Sequence, residues 1–203
     1  TSISGNADNL LANDEAFDTE TRRQIYTDIR EDSEWLISLV ENLLSVSRMG
    51  DGKSDIRMSA ELVSDVIDEA VRRTEKNASE HKLTVKENDG ILLARMDARL
   101  IVQVLINLID NAIKYTPSGS EIEISAVEKD NKIAITVADN GHGIADEIKP
   151  RVFDMFYTGA EKIADSRRSL GLGLALCKSI VNAHGGEITV TDNKPHGAGP
   201  TFT

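Results

Sequence analysis

The sequence predicts an α/β protein in two parts: a helical hairpin over residues 1–50 and a two-layer α/β sandwich over residues 54–203. Three observations predict this fold class. Apolar residues in the first part recur at helical spacing, and two glycines interrupt the chain among polar residues at 49–54. Beyond them, helical patterns alternate with stretches in which every second residue is apolar. Such alternation is typical of helices packed on one sheet.

Composition excludes several classes of protein. The 203 residues include 34 acidic and 23 basic side chains, a net charge of −11, which argues against a general nucleic-acid binder. The single cysteine, Cys177, excludes an intramolecular disulfide framework and favours a reducing, cytoplasmic setting. No run approaches the roughly 18 apolar residues of a membrane span. Because the sequence does not begin with Met, we expect it to be part of a longer protein.

The hairpin is predicted from a shorter apolar stretch over 3–11 and a long helix that begins at Asp18 or Thr19. Apolar residues of the long helix form one wide stripe at steps of three, four and seven: Ile25, Ile29, Leu36, Val40 and Leu43. One hairpin cannot bury such a stripe by itself. A second copy in a four-helix bundle is the simplest partner, so we expect a homodimer.

The elements of the second part follow in order. We expect helices over 62–71, 100–115 and 171–183, and strands over 83–85, 122–126, 133–137 and 188–190. Asp130 and Asn131 mark a hairpin turn between the two central strands. Pro117 and Gly119 end the most apolar helix.

The apolar helix carries a polar stripe. Asn107, Asn111 and Lys114 are spaced by four and three residues, so they share one helix face. Amide oxygens suit Mg²⁺ and a lysine suits phosphate. The alternative is an ordinary solvent-facing side of an amphipathic helix.

A second motif follows the 133–137 strand. Asp139, Gly141 and Gly143 stand in the pattern Asp-x-Gly-x-Gly. A carboxylate after a strand can accept hydrogen bonds from an exocyclic amine, and glycines let the backbone approach a flat ligand. An ordinary Asp-Gly turn is the alternative.

The third motif opens a helix. Gly171, Leu172 and Gly173 precede or begin the 171–183 helix, where backbone N–H groups can meet a phosphate. The stretch before them contains Phe153 and Phe156. It reads either as a lid over a ligand or as a surface loop with an aromatic anchor.

The order of these motifs is more specific than any one of them. Asn-x-x-x-Asn-Ala-x-Lys-Tyr, Asp-x-Gly-x-Gly, two phenylalanines and Gly-Leu-Gly-Leu resemble the nucleotide-binding core of sensor histidine kinases, gyrase, Hsp90 and MutL over residues 54–203. Residues 1–50 resemble the later part of the dimerisation and histidine-phosphotransfer hairpin of histidine kinases. Ser-Glu-Trp-Leu at 33–36 and Leu-Val-Glu-Asn-Leu-Leu at 39–44 are similar to KdpD-type potassium-responsive kinases.

The resemblance implies a Bergerat-type ATP-binding fold with ATP and Mg²⁺ as cofactors. It implies that Asn107, Asn111 and Lys114 are the catalytic residues. Asn111 and Asn107 belong to the metal site, and Asn107 stands where gyrase-like ATPases keep a glutamate base. An amide there suits a kinase, because a base that activates water would hydrolyse ATP. Lys114 and Tyr115 face the phosphates.

For the rest of the nucleotide, the resemblance implies that Asp139 binds the adenine amino group, with Gly141 and Gly143 shaping the adenine floor. Phe153 and Phe156 anchor the lid. The phosphates meet the N–H groups of a segment that consists of Gly171, Leu172 and Gly173. Two positions depart from the family pattern: Pro200 replaces a common Ser or Thr, and His142 replaces a usual Pro.

The resemblance predicts the catalytic portion of a sensor histidine kinase. It transfers the γ-phosphoryl group of ATP to a histidine, expected about two helical turns before Thr1, and then to an aspartate of a response-regulator receiver domain. The expected setting is the cytoplasmic portion of a membrane-anchored bacterial sensor. Two alternatives stay open: a gyrase/Hsp90-like ATPase, and a nucleotide-binding module without turnover.

Overall fold

A computed structural model of the protein describes residues 2–13, 16–50, 56–86, 90–157, 171–193 and 199–203. The helices are α1 (Ser2–Asn13), α2 (Thr19–Gly50), α3 (Val63–Thr74), α4 (Ala98–Tyr115) and α5 (Gly173–Ala183). The strands are β1 (Ser59–Leu62), β2 (Lys82–Val85), β3 (Leu93–Met96), β4 (Glu121–Lys129), β5 (Lys132–Asp139), β6 (Val190–Asp192) and β7 (Pro200–Phe202).

The first two helices form the predicted hairpin. Asp18 caps α2, because its carboxylate accepts a hydrogen bond from the Thr21 N–H at 2.7 Å. Within a single chain, Leu36 and Val40 of the apolar stripe remain exposed. α2 also packs against α5. No helix in the described part of the chain is long and apolar enough to cross a membrane.

The main sheet has five strands in the order β2-β4-β5-β7-β6, with β2 parallel to β4 and the other pairs antiparallel. Its centre is the predicted hairpin of β4 and β5. Asp130 and Asn131 form the turn with φ of 50° and 59°, the left-handed backbone that a tight hairpin requires. Asp and Asn tolerate this conformation better than most residues.

Three strands lie outside the sequence prediction. β1 and β3 pair only with each other, in a separate two-stranded sheet, and each is four residues long. β7 begins with Pro200, a residue that argues against a strand. The predicted strand over 188–190 is displaced, since β6 runs from Val190 to Asp192. In all these cases the pairing partner, not the local pattern, decides the strand.

The helical layer covers one side of the sheet. α4 contacts α3 and α5 and packs on β4 and β5. Alternate residues of β4 face this layer and are buried, as their pattern predicts. The core includes Val66, Ile67, Leu105, Leu108, Ile109, Ile122, Ile124, Val137, Leu176 and Ile180. This is the predicted two-layer α/β sandwich.

α4 begins two residues before the predicted start, because Asp97 caps it. The Asp97 carboxylate accepts a hydrogen bond from the Arg99 N–H at 3.2 Å, and the carboxylate is almost wholly buried. The Asp97 N–H donates to His184 Nε2 at 3.0 Å. The start of α4 is thereby tied to the end of α5, and the two helices that carry the polar motifs keep a fixed relation.

Candidate functional site

The predicted polar stripe lies on one face of α4. Asn107, Asn111 and Lys114 are each half-buried, whereas Ile109 between them is fully buried. Lys114 Nζ lies 5.7 Å from the centre of the Tyr115 ring, close enough for a cation–π contact. The three polar side chains are therefore partly shielded from solvent.

Asn107 faces the start of α5. A Cβ placed on Gly173 would lie 3.7 Å from Asn107 Oδ1. Nδ2 of Asn107 is buried and has no hydrogen-bond partner within the described residues. Burial raises the pKa of the neighbouring Cys177 thiol to about 12. The first and third motifs are therefore in contact, and an amide donor is unused at their junction.

Asp139 lies at the end of β5 and is 4% exposed. Its Oδ1 accepts a hydrogen bond from the Gly141 N–H at 2.9 Å. Burial raises the pKa of the carboxyl group, and this hydrogen bond and the charge of His142 act in the opposite direction. A buried carboxylate placed after a strand is more than a turn residue requires.

Gly141 stands where a side chain would not fit. A Cβ there would lie 2.8 Å from Thr116 Cγ2 and 2.9 Å from Asp139 Oδ1. Thr116 directly follows α4, so the second motif touches the end of the first. Gly143 has a φ of 77°, which glycine adopts without strain.

The two phenylalanines have different environments. Phe153 packs edge-to-face on Phe202 of β7, with ring centres 6.3 Å apart at 84°, and Lys178 Nζ lies 6.0 Å from its ring centre. Phe156 is 62% exposed, and its N–H donates to the Gly171 carbonyl at 3.1 Å. Phe153 therefore packs against the hydrophobic core. The Phe156 side chain is exposed, and the contact of this residue with Gly171 is made by its backbone.

The Gly171–Gly173 segment brings the third motif to the same place. Gly171 has a φ of 64°, and a Cβ there would overlap the backbone of Tyr157. Leu172 is buried and no side chain caps the first turn of α5. The start of α5 at Gly173 lies beside Asn107, and backbone N–H groups at a helix start can bind a phosphate.

Some residues of these motifs fall outside the described part of the chain. Leu170, the cations of the segment before it and Gly197 of the last glycine group belong to this set.

Sequence reasoning missed two residues at the site. Thr116 lies against Gly141. The buried Asn193 donates a hydrogen bond from Nδ2 to the Asp139 carbonyl at 2.9 Å. The only sequence signal for Asn193 is its place just after a strand.

The side chains of the site suit a magnesium ion that takes only a few of its ligands from the protein. Among the described residues, no three His, Cys, Asp or Glu side chains gather into a metal cluster. The amides of Asn107 and Asn111 lie one turn apart on the half-buried face of α4, and an amide oxygen is a ligand that Mg²⁺ accepts. Mg²⁺ commonly takes few protein oxygens and completes its shell with phosphate and water.

Residues 96–203, more than half of the chain, match the family described as histidine kinase-, DNA gyrase B-, and HSP90-like ATPase. The chain belongs to this family. The match contains every site residue described above. It confirms the predicted family and, with it, the Bergerat-type ATP-binding fold.

Two relatives are named as a sensor protein and as a sensor-like histidine kinase. The chain is 45% identical over 196 residues to the sensor protein KdpD of Clostridium acetobutylicum, covering 97% of this chain and 22% of that protein. It is 34% identical over 198 residues to the sensor-like histidine kinase SenX3 of Mycobacterium tuberculosis, covering 97% and 47%. These relatives confirm the predicted likeness to sensor histidine kinases, the KdpD type included. The chain spans less than half the length of either protein.

Solved structures have the same fold. The Acinetobacter baumannii histidine kinase AdeS matches with a TM-score of 0.78 and 25% identity, covering 98% of this chain and 90% of that one. Full-length ShkA in complex with AMPPNP matches with a TM-score of 0.69 and 26% identity, covering 92% and 38%. The histidine kinase ThkA in complex with the response regulator TrrA shares the fold, with a TM-score of 0.70 and 20% identity over 100% and 56%.

Proposed function

We propose that this chain is the catalytic portion of a sensor histidine kinase, which transfers the γ-phosphoryl group of Mg·ATP to a histidine and then to a response-regulator aspartate. One observation carries the proposal: three motifs far apart in sequence converge on one site. Asn107 of α4 meets Gly173 of α5, and Thr116 after α4 meets Gly141 after β5. The relatives are named as a sensor protein and a sensor-like histidine kinase, which supports this reading over a gyrase-like one.

At the adenine end, Asp139 accepts a hydrogen bond from the exocyclic amine. Its carboxylate is held by the Gly141 N–H at 2.9 Å, so its orientation is set before the nucleotide arrives. The lack of a side chain on Gly141 lets the flat base approach this carboxylate. Burial excludes competing water and strengthens the hydrogen bond to the amine.

At the phosphate end, the residues of α4 and α5 act together. Asn111 and Asn107 hold the magnesium ion, which neutralises charge on the phosphates when it is bound. Lys114 adds a cation from the same helix face. The uncapped first turn of α5, at Gly173, directs N–H groups at the phosphate oxygens. Catalysis of this kind is mainly positioning and charge neutralisation.

Asn107 also separates phosphotransfer from hydrolysis. An amide cannot accept a proton from water as a carboxylate base does, so the site is poorly suited to activating water. The gyrase-like ATPase reading requires such a base. A nucleotide-binding module without turnover would share all the contacts described and differ only in activity.

The partners and setting follow from the same proposal. The hairpin joins a second copy in a four-helix bundle, and a receiver domain accepts the phosphoryl group. The complexed ThkA structure, which contains a response regulator, supports a partner of this kind. We place the chain on the cytoplasmic side of a membrane-anchored bacterial sensor. No role in nucleic-acid binding is proposed.

The test is a comparison of phosphotransfer with hydrolysis. The cytoplasmic portion, extended upstream to include the phosphoacceptor histidine, is incubated with γ-labelled Mg·ATP. We expect label on the protein that is stable in alkali and labile in acid, little release of free phosphate, and loss of label in Asn111→Ala. The exposed Asn182→Ala serves as the control and should behave as the wild type. Rapid phosphate release without protein label would favour the ATPase; nucleotide binding with neither would favour the binding module.

A further inference from the structure

The last strand of the sheet divides its hydrogen bonds between two neighbours. Thr189 and Thr203 exchange backbone hydrogen bonds at 2.8 and 3.1 Å, and the Asn193 N–H donates to the Gly199 carbonyl at 2.7 Å. Residues 199, 201 and 203 therefore direct their backbone groups towards the β6 side. The alternate residues, Pro200 and Phe202, direct theirs towards β5.

On β5, Asp139 comes opposite Pro200. The observed pairs are Val137 with Phe202 and Ala138 with Thr201, so the next pair along the ladder is Asp139 with Pro200. The Asn140 N–H donates to Glu121 of β4, which confirms that Asp139 faces the other way, towards β7. An ordinary residue at position 200 would donate its N–H to the Asp139 carbonyl, but proline has none.

Asn193 supplies the missing donor. Its Nδ2 donates to the Asp139 carbonyl at 2.9 Å in a buried setting, and Asn193 is 7% exposed. Gly199 also lies directly against Asp139, because a Cβ at position 199 would overlap the Asp139 carbonyl and lie 2.6 Å from Oδ1. The backbone at Asp139 is thus held from the β7 side by an amide side chain.

We propose that Asn193 is a positioning residue for Asp139, and that its side chain replaces the ladder hydrogen bond that Pro200 cannot make. This rests on the proposed function, in which Asp139 binds the adenine amine. Asn193 does not itself touch the nucleotide. It fixes the backbone from which the carboxylate projects, so its loss should weaken binding of the adenine end.

The test is a cycle of substitutions at positions 193 and 200, read by calorimetry with Mg·ADP on the full chain. Asn193→Ala should weaken ADP binding roughly threefold to tenfold, the effect of one lost hydrogen bond. Pro200→Ala restores an N–H without adding a hydroxyl group, so the single variant should bind as the wild type and the double variant should recover most of the lost affinity. The exposed Asn182→Ala is the matched control.

A second readout does not depend on the nucleotide. Amide hydrogen exchange at residues 139–141 should be faster than in the wild type in both Asn193→Ala and Asn193→Asp. Aspartate has the same size as asparagine but lacks the N–H donor. In the double variant, exchange should return towards the slower wild-type rate. A purely structural role elsewhere would not be rescued by Pro200→Ala. Unchanged exchange in Asn193→Ala and Asn193→Asp, or failure of Pro200→Ala to restore slow exchange in the double variant, would overturn the inference. Wild-type chain that binds no ADP would contradict the proposed function, while the exchange data still decide the role of Asn193.

Discussion

Asp139 combines a cost to folding with a proposed role in binding. Its carboxylate is buried, and burial raises its pKa because the charged form loses hydration. The Gly141 N–H compensates for only part of that loss. A residue of this kind is poorly explained by stability and well explained by a ligand that brings a donor.

The first residue-scale prediction concerns affinity. In Asp139→Asn an amide replaces the charged acceptor, and the exocyclic amine meets a neutral and partly mismatched partner. We expect Mg·ADP binding to weaken by about 1.5–3 kcal/mol, on the order of tenfold to more than a hundredfold. Calorimetry measures this, with the exposed Asp68→Asn of α3 as the matched control. Equal affinities in both variants, with unchanged circular dichroism, would mean that Asp139 is an ordinary turn residue that does not bind the nucleotide.

The second prediction concerns the stability of the same variant. The pKa of Asp139 is raised in the folded state above its ordinary value of 3.8, so ionisation at neutral pH disfavours folding. Asp139→Asn removes this penalty and should raise the free energy of unfolding at pH 7. The gain should shrink as pH falls through the raised pKa and vanish below 3.8, where the wild-type carboxyl is protonated in both states. Urea unfolding from pH 8 to pH 4.5 measures it, and a gain that grows on acidification would contradict this account.

At the scale of elements, α4 and α5 carry most of the proposed phosphate site. Asp97 caps α4 and its backbone N–H donates to His184 at the end of α5, while Asn107 near the middle of α4 meets Gly173 at the start of α5. These contacts, together with that of Cys177 Sγ and the Val104 carbonyl at 3.7 Å, set the relation of the helices. The site residues are therefore placed by helix packing and not by loops alone, which favours a precise geometry.

α2 presents the other element-scale feature, an exposed apolar surface. Leu36, Ile37, Val40 and Leu44 are each 41–58% exposed in the single chain. An apolar patch on a long helix marks an interaction site. The proposed four-helix bundle would cover it with the same helix of a second copy.

The third prediction tests this bundle. Leu36→Ala with Leu44→Ala in the extended cytoplasmic portion should cost about 2–5 kcal/mol for each leucine buried at the interface, twice over in a symmetric dimer. Sedimentation should therefore show a shift to monomer at micromolar concentration, with Mg·ADP affinity unchanged. Leu93→Ala, an exposed leucine of β3, is the control. A double variant that remains dimeric would place the interface elsewhere.

At the scale of the whole molecule, the hairpin and the sandwich are not wholly separate. α2 packs against α5, the helix whose first turn belongs to the proposed phosphate site. All proposed ligands of the nucleotide nevertheless lie after residue 96. Binding should therefore belong to the sandwich, whereas delivery of the phosphoryl group requires the hairpin.

The fourth prediction separates the two parts. Residues 54–203 alone should bind Mg·ADP within a few-fold of the affinity of the full chain, because no proposed contact is removed. Calorimetry on both forms measures this, with circular dichroism to establish that the shorter form is folded. Folded 54–203 that binds nothing at millimolar ADP would mean that the α2–α5 contact is needed to shape the site.

The sequence alone predicted the fold class, the hairpin, the long apolar helix α4 and the central β4–β5 hairpin. These features depend on local pattern: apolar spacing in α4, alternation in β4, and turn residues at Asp130 and Asn131. The order of the motifs also predicted the family that the comparisons confirm. The roles of the individual site residues stay predictions.

Only the tertiary structure decided what depends on a partner distant in the chain. β1, β3 and β7 exist because another strand lies beside them, and β7 does so despite Pro200. The same proline leaves the Asp139 carbonyl without a ladder donor, and the fold brings Asn193 to it from 54 positions away. No local pattern encodes that hydrogen bond. It follows from the register of three strands, since register decides which backbone groups face each other.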